Sequence, residues 1–224
     1  MPEQSSVFDM IGPVMIGPSS SHTAGVVKIG EVGFNWLQGV PDSVEITFYN
    51  SFARTYEGHG SDRAILSGLM GFKPDDKRIK DALAIAKDSG LEYKFRSVGN
   101  ASTFHPNTVH LEMSKDGKRH SLTGESRGGG VVRIKELNGF DANFTSALHT
   151  MVIEADDTKG SIAFITDILS HDDCNIATMT VSRKAKNDIA CLILEMDSAP
   201  KEISIQYIDH LRWVRKTRYI PLMD

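Results

Sequence analysis

Cysteine is scarce in this chain of 224 residues: only Cys174 and Cys191 occur, far apart and outside any CxxC spacing. That excludes a disulfide framework and gives no cysteine set for a cluster or zinc site, so two buried thiols are expected and no metal is assigned to this chain. Charge of one sign is lacking as well. With 25 Lys and Arg against 29 Asp and Glu, the net charge of −4 offers no electrostatic footprint for nucleic acid or an anionic membrane, so small molecules and other proteins are the expected partners. No run approaches the roughly 18 apolar residues of a membrane span. Met1-Pro2-Glu3-Gln4 leads into no sustained apolar region, so the cytoplasm is the expected compartment. What is present is ordinary for a globular protein, and the length suits two domains, each with its own core.

The stretch Gly17-Pro18-Ser19-Ser20-Ser21-His22-Thr23 stands out. Such a run has little to offer a core. Its hydroxyls suit the start of a helix, where they accept from unpaired N–H groups, and the remaining donors together with the helix dipole favour an anion. His22 would then be placed for proton transfer. Upstream, Val7, Phe8, Met10 and Ile11 can pack locally, and Gly12-Pro13 with Gly17-Pro18 argues for a fixed, turning loop. Downstream, Val26, Gly30, Phe34 and Leu37 form one helical stripe that Gly39 and Pro41 end. Gly25, Gly30 and Gly33 inside that helix predict a close approach by another backbone.

Val44, Ile46 and Phe48 alternate as a half-buried strand. The stretch from Tyr56 to Asp62 reads as a loop in which glycines flank His59, either facing a site or merely solvated. A short helix follows with Ser61 or Asp62 as its cap. Asp75-Asp76 opens an amphipathic helix carrying Ile79, Ala82, Leu83 and Ala86, stopped by Gly90, and Leu91, Tyr93 and Phe95 begin a strand. Asn107 to Met113 pairs through an Asp116-Gly117 turn with His120 to Thr123. Neither His105 nor His110 has a spacing that singles it out. Gly124 to Gly130 is read as a loop before the strand Val131 to Leu137. Its glycines suit either an anion-binding nest or a flexible hairpin tip. Periodicity fades from Glu136 to His149, which sets domains at 1–145 and 148–224. The second predicts β-α-β-β-α-β: a strand through Met151, Ile153 and Ala155, a helix with Ile162, Ile165, Ile168 and Leu169, then strands through Ile176, Met179 and Val181 and over Ile189 to Met196, a helix from Lys201 to Leu211, and a last strand from Trp213 to Ile220. The fold class is α/β (α+β), ending in a ferredoxin-like unit.

That last unit resembles an ACT domain, the small-molecule sensing module of amino-acid metabolism, through its Asp157-xx-Gly160 turn and Cys174-Asn175-Ile176. Asp157, Gly160 and Asn175 match the ligand-loop positions, and the module implies self-association. The three stretches Gly17 to Thr23, Gly58-His-Gly-Ser-Asp62 and Ser126-Arg-Gly-Gly-Gly130 together resemble the β subunit of bacterial iron-sulfur-dependent L-serine dehydratase, over nearly the whole chain. The lead-in to His59, with Phe52, Arg54 and Glu57, departs from the family's smaller, glycine-containing one. The resemblance implies conversion of L-serine to pyruvate and ammonia by two chains, the [4Fe-4S] cluster being held by the partner α subunit as a Lewis acid. It also implies a first domain with the allosteric-substrate-binding fold of one type of phosphoglycerate dehydrogenase. By that resemblance Ser20, Ser21 and Thr23 hold the substrate carboxylate, His22 stands beside the reacting carbon or its leaving group, His59 is the second proton-transfer candidate, and Ser126 with the Gly128 and Gly129 backbone completes the anion pocket. A purely regulatory, anion-binding subunit and a structural adaptor are the competing readings.

Overall fold

The computed structural model describes residues 14–99, 103–186 and 188–223. The Gly12-Pro13 turn and the packing expected of Val7, Phe8, Met10 and Ile11 lie outside the described residues. The chain divides into two compact units between Gly139 and Phe140.

In the first unit the strands β1 (Ser43–Tyr49), β2 (Glu92–Val98), β3 (Thr108–Lys115), β4 (Lys118–Gly128) and β5 (Val131–Leu137) lie in the order β2-β1-β3-β4-β5. Only β1 and β2 run parallel; the other pairs are antiparallel. Parallel neighbours need a crossover, supplied by α2 (Asn50–Thr55), α3 (Ser61–Leu69), a 3-10 turn (Lys77–Asp81) and α4 (Ala82–Asp88). Helix α1 (Gly25–Leu37) packs on α3, and the contact is backbone to backbone. A Cβ on Gly30 would lie 2.6 Å from the Ile65 carbonyl oxygen and 2.8 Å from Gly68 Cα. The core here is Ile29, Trp36, Ile46, Phe48, Phe52 and Ile65, all fully buried.

Three expectations are corrected. The residues before His59 are not all loop, because Asn50 to Thr55 form α2, which Phe52 anchors in the core. Gly124 to Arg127 are strand rather than loop: β4 continues to Gly128, which pairs with Val131. Gly129 (φ 59°) and Gly130 (φ 80°) then make a two-residue turn with positive φ at both positions, as tight hairpins require. Finally, Asp76 does cap its segment, accepting the Arg78 N–H at 2.9 Å, but the first turn is 3-10 before α4 begins.

The second unit opens with β6 (Phe140–Thr145) and continues β7 (His149–Asp156), α5 (Ser161–Ser170), β8 (Ile176–Arg183), β9 (Ile189–Met196), α6 (Glu202–Asp209) and β10 (Val214–Ile220). The antiparallel order β10-β7-β9-β8 with this connection is the ferredoxin-like β-α-β-β-α-β arrangement. Met151, Ile153, Leu192 and Leu194 pack beneath Ile165, Leu169 and Ile208. Ile162, expected on the apolar stripe of α5, is instead 39% exposed. Among the described residues no helix is long and apolar enough to cross a membrane.

Candidate functional site

The hydroxyl-rich stretch folds as a π-helical turn, Ser20–Ala24, leading into α1. Such turns are rare and concentrate at functional sites. Ser19 caps it by accepting the His22 N–H at 3.3 Å, and the Gly25 N–H donates to the Ser20 carbonyl. Ser19 Oγ also lies 3.2 Å from His22 Nδ1, and Ser21 Oγ lies 3.3 Å from it. Across the ring, His22 Nε2 is 3.1 Å from Thr55 Oγ1. Thr55 donates its own proton to the Ser51 carbonyl at 2.9 Å, so towards the imidazole it accepts. Nε2 therefore carries a proton directed at Thr55, and in the neutral form of the ring Nδ1 accepts from serine hydroxyls. Burial, then the proximity of His59, hold its pKa below the ordinary 6.5.

His59 follows α2 and precedes Gly60, whose left-handed φ of 72° turns the chain into α3. Its ring centroid is 4.7 Å from that of His22, while the Phe52 ring meets His22 edge-on at 4.9 Å. Neither expected cap of α3 behaves as one. Ser61 Oγ donates to the His22 carbonyl at 2.8 Å, tying the start of α3 to the π-helical turn. Asp62 accepts the Arg63 N–H at 2.8 Å, and its burial raises the carboxyl pKa. Both imidazoles thus sit where helices begin.

A cleft of about 200 Å³ opens here, lined by Gly17, Thr23, Glu57, His59, Arg63 and Lys80 among others. His59 lines it, and His22 does not, meeting the lining only through its contact with the His59 ring. Thr23 is 2% exposed, and its Oγ1 has no hydrogen-bond partner among the described residues. Any side chain on Gly17 would strike Thr23. Ser20 and Ser21 do not line the cleft; Ser21 is turned onto the His22 ring. Ser126, fully buried, packs against Gly25 at the start of α1, and its hydroxyl is likewise without a partner among the described residues. Gly128 and Gly129 form the hairpin end of β4 and are outside the cleft lining. Sequence reasoning missed Thr55, Arg63 and Lys80. A signal for the first was available, since Asn50-Ser51 precedes Phe52 and Tyr56 at helical spacing; Lys80 has none.

In the second unit, Asp157 pairs with Arg183 at 2.9 Å beside Gly160, the N-cap of α5. Asn175 donates to Asp197 at 2.6 Å. These are opposite ends of the sheet, for Asp156 stands across from Ile189 while Ile176 stands across from Met196, at the other end of β9. One unit does not bring the three residues together. Nor do the described residues fit an iron-sulfur cluster. Cys174 and Cys191 are buried, burial and then Glu154 push the Cys191 thiol up to about 12, and no group of three His, Cys, Asp or Glu among the described residues converges.

A family model described as "Serine dehydratase beta chain" matches residues 6–98, which include the hydroxyl-rich turn and the His59 loop. The "Probable L-serine dehydratase, beta chain" of Bacillus subtilis (strain 168) is 43% identical over 86% of this chain and 87% of that one. The "L-serine dehydratase, beta chain" of Peptoniphilus asaccharolyticus is 36% identical over the same shares. Among solved structures, the ACT domain from the GTP pyrophosphokinase of Chlorobium tepidum is 21% identical over 32% of this chain and 95% of that one, with a TM-score of 0.28. The fold of the second unit accordingly rests on its own strand order. Similarity of this extent to named beta chains, covering the turn and the loop that meet at the paired imidazoles, means that the chain belongs to the L-serine dehydratase beta-chain family.

Proposed function

We propose that this chain is one half of a two-chain L-serine dehydratase, in which a partner α subunit holds the [4Fe-4S] cluster and this chain binds substrate and moves protons as L-serine becomes pyruvate and ammonia. The observation that carries the reading is the pair of imidazoles, with the pKa of His22 lowered by burial and its ring held between hydroxyls on both sides. A neutral imidazole at physiological pH can accept a proton. His59, in the cleft wall, meets the substrate, and His22 stabilises it from behind. Loss of the Cα proton and of the β-hydroxyl leaves an aminoacrylate, which tautomerises and hydrolyses to pyruvate and ammonia.

In this proposal the substrate carboxylate lies against the Ser20 to Thr23 turn, with the Thr23 hydroxyl its nearest donor. The unpartnered Ser126 hydroxyl backs the same helix start. The ACT-like unit carries self-association and an effector site that needs Asp157 and Gly160 from one copy and Asn175 from elsewhere. The test is anaerobic coexpression with the α subunit, followed by a pyruvate assay and an iron count. His59→Ala and His22→Ala each lower kcat by about 100-fold or more, the usual effect of removing an acid or base. Variants that alter effector response while keeping the maximal rate would make the chain a regulatory subunit instead, and activity from this chain alone, or from an iron-free complex, would sink the two-chain reading.

A further inference from the structure

The cleft beside His59 carries charges that the hydroxyl-rich turn does not supply. Arg63, in the first turn of α3, and Lys80, in the 3-10 turn, line it together with Glu57. Two of the nearby cations are already neutralised: Lys73 lies 2.8 Å from Glu31, and Arg78 lies 2.5 Å from Asp76. Arg63 and Lys80 form no such ion pair with a described residue. Thr23 also lines the cleft, and its hydroxyl, buried against Gly17, has no described partner. Buried polar groups are nearly always paired, so this unpartnered hydroxyl beside the cleft is a candidate donor to a ligand. At about 200 Å³ the space is below the roughly 300–1,000 Å³ of sites for drug-sized molecules and suits a small metabolite.

We infer that Arg63 and Lys80 form the carboxylate clamp for a small zwitterionic α-amino acid, with the Thr23 hydroxyl as a third donor and the Glu57 carboxylate on the ammonium side. The lining offers charges of both signs, as such a ligand does, whereas a simple anion would leave Glu57 opposed to it. Guanidinium pairs with a carboxylate through two parallel hydrogen bonds, which fixes orientation as well as affinity. With the carboxylate held there, His59 in the same wall is left facing the rest of the molecule. The inference rests on the reading of this cleft as the substrate side of a serine dehydratase.

The test uses the assembled complex, with L-serine as substrate and L-serinamide, which lacks the carboxylate, as competing inhibitor. Arg63→Met raises KM for L-serine roughly 10- to 100-fold, the range for losing a charge-assisted hydrogen bond, with kcat within about two-fold. The inhibition constant of L-serinamide is unchanged, Arg63→Lys recovers part of the loss, and Lys80→Met acts in the same direction. An unchanged KM overturns the clamp, and so does a parallel loss for L-serinamide, which would mean general damage. His59→Ala, run alongside, separates the two failures: full turnover there with a raised KM in Arg63→Met keeps the clamp and rejects the proton-transfer role.

Discussion

At the scale of single residues, the neighbours of His22 make its protonation state a reporter of the site. Removing the charge of His59 removes one of the two causes that depress its pKa. His59→Ala is therefore expected to move the His22 titration upwards, towards 6.5 but not to it because burial persists, as followed by the ring C–H resonances in NMR. The same depression makes stability depend on pH. Between the ordinary value and the lowered one, the unfolded chain binds more protons at this position than the folded chain does, so stability is lost as pH falls through that window. His105, lowered by burial and then by Arg127, acts in the same direction. Urea midpoints measured from pH 7 down to 5 should fall, and His22→Gln should flatten the slope. The hydroxyl run and both imidazoles were legible in the sequence because Ser-Ser-Ser-His-Thr has no use in a core. Thr55 was not, because its partner is 33 residues away in sequence; nor was the second task of Ser61, whose hydroxyl serves the His22 carbonyl rather than its own helix.

Among the elements, α1 and α3 decide where the two histidines stand, because His22 and His59 immediately precede them. Their contact admits no side chain at Gly30 or Gly68, each facing the backbone of the opposite helix. Gly30→Ala improves helix propensity by about 1 kcal/mol, yet overpacking at a backbone contact costs typically 1–3 kcal/mol or more. The expected outcome is net destabilisation, read as a lower urea midpoint with an unchanged slope. A rise in that midpoint would show that the helices can separate without cost. Gly30 announced this close approach in the sequence, whereas Gly25 and Gly33 face the side chains of Ser126 and Leu69 rather than a backbone; the strand alternation announced β1 and the β3–β4 hairpin. The six-residue α2 stayed hidden, since one helical turn and a half leaves too few apolar repeats to distinguish from a loop. Residues 124 to 127 misled for the opposite reason: three glycines look like a loop, although only the last two turn the chain.

For the molecule as a whole, the order of strands and helices from β7 to β10 followed from periodicity, because each element is long enough to repeat its pattern, while β6 fell in the stretch where periodicity was expected to fade. What periodicity cannot give is which end of a sheet a residue occupies, and that is where Asp157 and Asn175 part company. The buried thiols lead further. Cys191 is 1% exposed and Cys174 is 6% exposed, so a thiol-blocking reagent added to the folded chain is expected to leave its mass unchanged and to label both positions once urea is present. Rapid labelling without denaturant would contradict this burial. With both sulfurs sealed in the fold, this chain offers an oxidant or a metal ion no thiol at its surface, so it can be handled in air without its cysteines cross-linking.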